Sequence, residues 1–221
     1  MSTYTGAVTP GGPSDVRELD ALTIRKASVG PQDNNAYLLT CRSTGAQLLV
    51  DAAYDADWLT ALVGEGSGEL DVVVTTHQHW DHHRALAALV KRTGARSAAG
   101  TADAGALPVP PGQLLEHGDR VTFGAVALEV VHLRGHTPGS VALVYGDPAG
   151  HAHVFTGDSL FPGGVGNTEG DRQRFTSLMD DVERRLFDVL PDDTWCYTGH
   201  GADTTLGAER PHLANWRARG W

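Results

Sequence analysis

Short apolar runs alternate with turns rich in Gly, Pro, Asp and Asn along most of the chain. That punctuation predicts many short strands and few helices. Strands are expected over Leu22 to Val29, Ala36 to Cys41, Gln47 to Asp51, Leu70 to Thr75 and Arg96 to Ala99. Further strands are expected from Arg120 to Leu133 (a hairpin turning near Gly124), Ser140 to Tyr145, Ala152 to Thr156 and Thr194 to Tyr197. Helical spacing appears in four places. Trp58, Leu59, Leu62 and Val63 share one face before Gly64 to Gly68 ends the run, and Leu86, Leu89 and Val90 fit a helix from His83 to Arg92. The longest helix is predicted from Arg172 to Leu190, with Phe175, Leu178, Met179, Val182, Leu186 and Val189 on its apolar face. A closing helix is expected over residues 207 to 219. Residues 1 to 20 read as an extended or mobile arm, leaving 21 to 221 as a single domain. The element order predicts two sheets packed face to face with helices outside, the strand ends gathered along one edge.

The candidate chemistry sits at those strand ends. Thr76-His77-Gln78-His79-Trp80-Asp81-His82 follows an apolar run directly and holds three imidazoles and a carboxylate. Three more candidates stand at Gly-flanked turns downstream: His136, Asp158 and His200. Imidazole nitrogen and carboxylate oxygen suit zinc-like ions, and a catalytic site leaves a position for water. In an extended segment His77 and His79 point the same way, so with His136 they can grip one ion. Asp81 and His82 with His200 can hold a second, and Asp158, with two oxygens, can bridge. Two divalent ions so placed acidify a shared water for attack on a carbonyl, with Asp81 orienting the nucleophile. Zinc is the expected metal, with iron or manganese as other candidates. His83 is expected to be exposed at a helix start, His117, His151, His153 and His212 to be loop or surface residues, and His132 to lie in a strand near the site. Trp80 could wall a substrate site or cap the core. Asn35, Phe161 and Asn167 join it as candidate substrate-lining residues, and Asn34 and Asn35 could equally shape a turn with Asp33.

Composition narrows the partners. A formal net charge of −10, with no Lys/Arg run, argues against nucleic-acid backbone binding. Cys41 and Cys196, far apart in strand-like segments, read as two buried thiols rather than a disulfide. The polar N-terminus has no signal-peptide core, and no apolar stretch approaches the ~20 residues that span a bilayer. A cytoplasmic protein acting on a small molecule, as monomer or homodimer, is the expectation. Trp216 and Trp221 could serve a subunit contact or pack on the parent domain.

The His77–His82 motif, the Gly135-His136-Thr137-Pro138-Gly139 turn, Gly157-Asp158 and Gly199-His200 together resemble the ligand motifs of the metallo-β-lactamase superfamily, in order. The resemblance implies a four-layer αβ/βα sandwich with a dinuclear site at one edge. Within that superfamily, Gly157-Asp158-Ser159-Leu160-Phe161 and Thr204 to Arg210 look most like glyoxalase II and its relatives, which hydrolyse thioesters of low-molecular-weight thiols. Glyoxalase II carries a larger C-terminal helical extension that holds glutathione, and Asn167 stands where relatives often carry Arg; acyl-mycothiol is the other thioester class considered. The alternatives implied are a persulfide dioxygenase using one iron, and a lactone hydrolase. The commonest β-lactamases place Cys where Asp158 stands, flavin-linked diiron relatives place Glu where His79 stands, and RNA cleavage would need a basic exosite. A metal-binding scaffold without activity is the non-enzymatic reading.

Overall fold

The computed structural model describes residues 4–220. Seven strands form the first sheet in chain order: β1 (Asp15–Glu18), β2 (Leu22–Val29), β3 (Asn34–Cys41), β4 (Gln47–Val50), β5 (Val72–Thr75), β6 (Arg96–Gly100) and β7 (Gln113–Leu115). The pairs from β1 to β4 are antiparallel, and those from β4 to β7 are parallel. The parallel crossovers carry α1 (Ala56–Gly64) and α2 (Leu86–Thr93), as parallel pairing requires a covering connection. Asp55 caps α1 by accepting from the Asp57 and Trp58 amides, and Gly94 ends α2 in the left-handed conformation.

The second sheet is built from β8 (Arg120–Phe123), β9 (Val126–His132), β10 (Val141–Gly146), β11 (Ala152–Gly157), β14 (Trp195–Thr198) and β15 (Thr204–Thr205), in the order β15-β14-β11-β10-β9-β8. A small hairpin, β12 (Leu160–Phe161) with β13 (Gly164–Val165), stands apart. Between β13 and β14 runs α3 (Arg172–Val182), capped by the Asp171 carboxylate. The chain closes with α4 (Leu206–Glu209), a 3₁₀ turn at Arg210–His212 and α5 (Leu213–Arg219).

Burial follows four layers. Leu22, Ile24, Leu39, Leu48, Val50 and Val74 of the first sheet meet Leu128, Val130, Val141, Leu143, Phe155 and Tyr197 of the second in the central core. On the outer face of the first sheet, Leu38, Leu49 and Val73 pack on Leu59, Leu62, Leu86 and Leu89 of α1 and α2. Val131, Ala142 and Val154, on the second sheet's outer face, pack on Phe175, Leu178 and Val182 of α3 and Trp216 of α5. This is the expected αβ/βα sandwich.

Several expectations need correction. Part of the supposed arm is structured: Asp15–Glu18 pairs with Thr23 to Lys26 as the edge strand β1. The long helix stops being α-helical at Val182 and continues as a π-turn over Glu183–Phe187, with the Asp188 amide donating to the Glu183 carbonyl. One inserted residue rotates the apolar stripe, so Leu186 remains buried while Val189 is 69% exposed. The closing helix is interrupted where Pro211 cannot donate a backbone hydrogen bond. Trp216 packs on its own domain, while Trp221 lies outside the described residues. Among the described residues, no helix is long and apolar enough to cross a membrane.

Candidate metal centre

Four strand ends meet at one edge of the sandwich. The chain leaving β5 carries His77 to His82, the turn from β9 to β10 carries His136, Asp158 follows β11, and His200 follows β14. The first cluster thus belongs to one sheet and the remaining three residues to the other. Their donor atoms form three overlapping trios, each within 4.8 Å: His77/His79/His136, His77/His82/Asp158 and Asp81/His82/His200. All seven expected residues are brought together.

Asp158 is the common centre. Its Oδ2 lies 3.9 Å from His77 Nε2, 3.7 Å from His136 Nε2 and 3.4 Å from His200 Nε2, and its Oδ1 lies 3.4 Å from His82 Nε2. Asp81 Oδ2 is 3.4 Å from His200 Nε2 and 3.7 Å from His82 Nε2. Two glycines make this approach possible. A Cβ on Gly199 would lie 2.0 Å from Asp158 Oδ1, and one on Gly157, at φ +50°, would lie 2.6 Å from Thr76 Oγ1.

Four of the imidazoles are anchored from behind through Nδ1. His77 contacts Thr76 Oγ1 at 3.0 Å, and His82 contacts Asp51 Oδ2 at 2.8 Å. His136 meets the Asn167 carbonyl at 2.8 Å and His200 the Gln32 carbonyl at 2.8 Å. Each contact turns Nε2 toward the centre, the arrangement that fixes tautomer and ring orientation in metal-ligating histidines. His77 Nε2, His136 Nε2 and Asp158 Oδ1 are buried and have no hydrogen-bond partner among the described residues. Buried polar atoms are seldom left so. Inward-facing, unpaired nitrogen and carboxylate donors fit divalent cations.

Electrostatics differs across the cluster. Burial drives the His77 imidazole well below its ordinary value and lowers His136 as well. Burial also opposes charge on His82, but the Asp51 and Asp158 carboxylates prevail and push it up to about 10. His200 likewise overcomes burial through its contacts with Asp158 and Asp81 and rises to about 10. Burial alone would raise the Asp158 carboxyl; His82 and His200 instead hold it well below the carboxylate range. Asp81 moves down for similar reasons, aided by Asn34 Nδ2 at 3.0 Å.

The candidate substrate-lining residues divide. Phe161 and Asn167 line a cavity of about 430 Å³ with Pro162, Val165 and Thr168. It adjoins the centre, since the Asn167 carbonyl holds His136 and the Phe161 ring lies 6.5 Å from that of His200. Trp80 stands 54% exposed above the ligand loop, with the Arg84 guanidinium 5.5 Å from its ring; it does not cap the core. Asn35 is fully buried and donates to the Thr198 and Gly201 carbonyls, so it supports the His200 loop from below.

Two histidines are corrected. His83 is buried, with Nε2 3.0 Å from the Gln78 carbonyl, and braces the ligand loop. His153 is a buried strand residue whose Nδ1 lies 3.0 Å from the Tyr197 hydroxyl. Sequence reasoning missed three buried groups behind the ligands. Asp51 binds the Thr76 amide and hydroxyl as well as His82. Asp103 accepts from the Gln78 and Gly139 amides. Lys26 donates to the Gly201 carbonyl and to Asp203 Oδ1, both at 2.7 Å. An aspartate directly after the apolar run Leu48-Leu49-Val50 was the sequence signal for Asp51; the structure turns the chain there into the left-handed region (φ +61°).

The sequence profile described as Metallo-beta-lactamase superfamily matches residues 29–200. A hydroxyacylglutathione hydrolase of Jannaschia sp. (strain CCS1) is 38% identical over 170 residues, covering 76% of this chain and 62% of that protein. One from Fuscovulum blasticum is 36% identical, covering 76% and 63% respectively. The chain thus spans less than two thirds of the length of these curated relatives. Among solved structures, ETHE1 from Myxococcus xanthus is 30% identical with a TM-score of 0.76, covering 88% of this chain and 84% of that one. TTHA1623 in a di-iron-bound form is 33% identical with a TM-score of 0.68, covering 84% and 96%.

Proposed function

The chain belongs to the metallo-β-lactamase superfamily, and on that premise we propose that it is a metal-dependent hydrolase that cleaves acyl thioesters of a low-molecular-weight thiol. The observation that carries this reading is the convergence of two complete donor trios, His77/His79/His136 and Asp81/His82/His200, on one shared carboxylate, Asp158. Similarity to hydroxyacylglutathione hydrolases over 76% of the chain supports the thioester class.

A pair of divalent cations, zinc or in its place iron or manganese, supplies Lewis-acid polarisation of the carbonyl and acidification of water when bound. The chain's own residues do the rest. The seven candidate ligands would fix where the reacting carbonyl sits, and the Nδ1 anchors of His77, His82, His136 and His200 reduce the reorganisation that would otherwise accompany reaction. Asp81, its carboxyl held low and its Oδ2 accepting from Asn34, would accept a hydrogen bond from the attacking water and orient it. The cavity bearing Phe161 and Asn167 receives the arm of the substrate beyond the scissile bond. A thiolate leaves readily with little general-acid help, which agrees with a centre where no further acid is needed.

The test joins elemental analysis to a small panel: acyl-glutathione, acyl-mycothiol and a simple lactone. Two metal ions per chain with thioester turnover is expected. A single iron per chain with oxygen uptake would replace hydrolysis by the persulfide dioxygenase reading, and turnover of the lactone alone would move the substrate class.

A further inference from the structure

The imidazole-only trio is assembled across the seam between sheets: His77 and His79 leave β5 of the first, and His136 sits on the β9–β10 turn of the second. A backbone bond from the Val141 amide to the Thr76 carbonyl, 2.9 Å, ties the two strand ends, and beyond it a buried side chain reaches both loops. Asp103, 1% exposed in the loop after β6, accepts from the Gln78 amide at 3.0 Å through Oδ2 and from the Gly139 amide at 2.7 Å through Oδ1. Its Oδ2 also accepts the Thr137 hydroxyl at 2.5 Å, which in turn lies 2.6 Å from Ser140 Oγ. Gln78 lies between the two histidines of the first loop, and Thr137 and Gly139 follow His136 on the second. Packing leaves the second loop little freedom to compensate. A Cβ on Gly139 would lie 2.5 Å from the Asp103 amide nitrogen, and one on Gly100 would lie 2.0 Å from the Gly139 carbonyl.

We propose that Asp103 is the positioning residue of the His77/His79/His136 trio, setting the separation of His136 from the other two and so the cation affinity of that trio alone. This rests on the metal reading above. Three donors converge on two oxygens, so both oxygens must be acceptors. An amide in the same place would turn N–H bonds toward an N–H or O–H donor and lose at least one of these contacts. Asp51 braces the centre differently: it touches His82 directly and His77 through the Thr76 hydroxyl, but not the His136 turn. Removing Asp103 should therefore disturb the His136 side alone.

The test is equilibrium Zn²⁺ binding to metal-stripped protein in competition with a chromophoric chelator. Wild type is compared with Asp103→Asn, Thr137→Val and Asp51→Asn, and His136→Ala and His200→Ala identify which binding step belongs to which trio. Asp103→Asn should weaken the step lost in His136→Ala by about 10–100-fold and leave the step lost in His200→Ala unchanged; Asp51→Asn, which loosens His82 directly and His77 through Thr76, should weaken both steps. Thr137→Val removes one of the three donors and should shift the same step as Asp103→Asn by a smaller factor; it carries the test should Asp103→Asn not fold. In Asp103→Asn, equal weakening of both steps, or no change in either, overturns the positioning role. Absence of metal uptake by wild type overturns the metal reading itself.

Discussion

His77, His79 and His136 meet as imidazoles alone, whereas Asp81, His82 and His200 include one carboxylate and lean on another, Asp51. The two loops of the first trio are tied through the Gln78 and Gly139 amides, which converge on Asp103. The second is held by charge: Asp51, Asp81 and Asp158 surround two histidines whose proton affinity they raise. One half of the centre is thus set by geometry and the other by electrostatic compensation. Asp158, which faces both, is where the two designs are joined.

Removing that joint should have the largest effect. Asp158→Ala is expected to cut thioester turnover by roughly 10³-fold or more, since a charged group aimed at the reacting centre is lost. The folded state should be little changed, because the Asp158 carboxylate faces the imidazoles of His77, His82, His136 and His200 rather than the hydrophobic core. Steady-state kinetics beside a thermal melt checks both, and a rate near wild type would contradict the shared role. Lys26→Met attacks the support of the second trio alone. It leaves Asp203 buried with its cation gone, though Tyr4 and Trp195 still donate to it. A loss of about 3–5 kcal/mol is expected in denaturant unfolding, with His200 disturbed and the His136 side spared.

Away from both trios, His153 offers a pH-dependent control. Burial first, then His151 and Arg17, hold its folded pKa at about 3, while the unfolded chain titrates at about 6.5. The unfolded state therefore binds the extra proton between those values, so stability is complete above about pH 6.5 and falls as pH drops toward 3. His153→Gln should flatten that decline by about 3 kcal/mol between pH 7 and 4, measured by urea unfolding at each pH. An unchanged slope would show that His153 is not the group responsible. Trp80→Ala should have the smallest effect on stability, within about 0.5 kcal/mol for so exposed a residue. Any change in KM for the thioester would then belong to the rim of the site.

The candidate ligands were legible because metal chemistry concentrates rare residue types at glycine-punctuated strand ends, and the sandwich was legible because strand and helix periods differ. The braces were not. Asp103 lies in Thr101-Ala102-Asp103-Ala104, a loop with no period and no motif, and its role depends on two segments 25 and 36 residues away. His153, expected as a loop or surface residue, lies in a strand where Tyr145 and Tyr197 enclose it. The exposed Val189 followed from extending a 3.6-residue period through a turn whose hydrogen bonding had changed.

Because His77 and His136 reside on opposite leaves of the sandwich, an ion that grips both can recognise only a molecule whose leaves have already closed. Such an ion acts as a rivet on the native topology: at a concentration 100 times its dissociation constant it would add about 2.7 kcal/mol to the stability of the whole fold. Metal supply would then govern how long the protein survives as well as how fast it works.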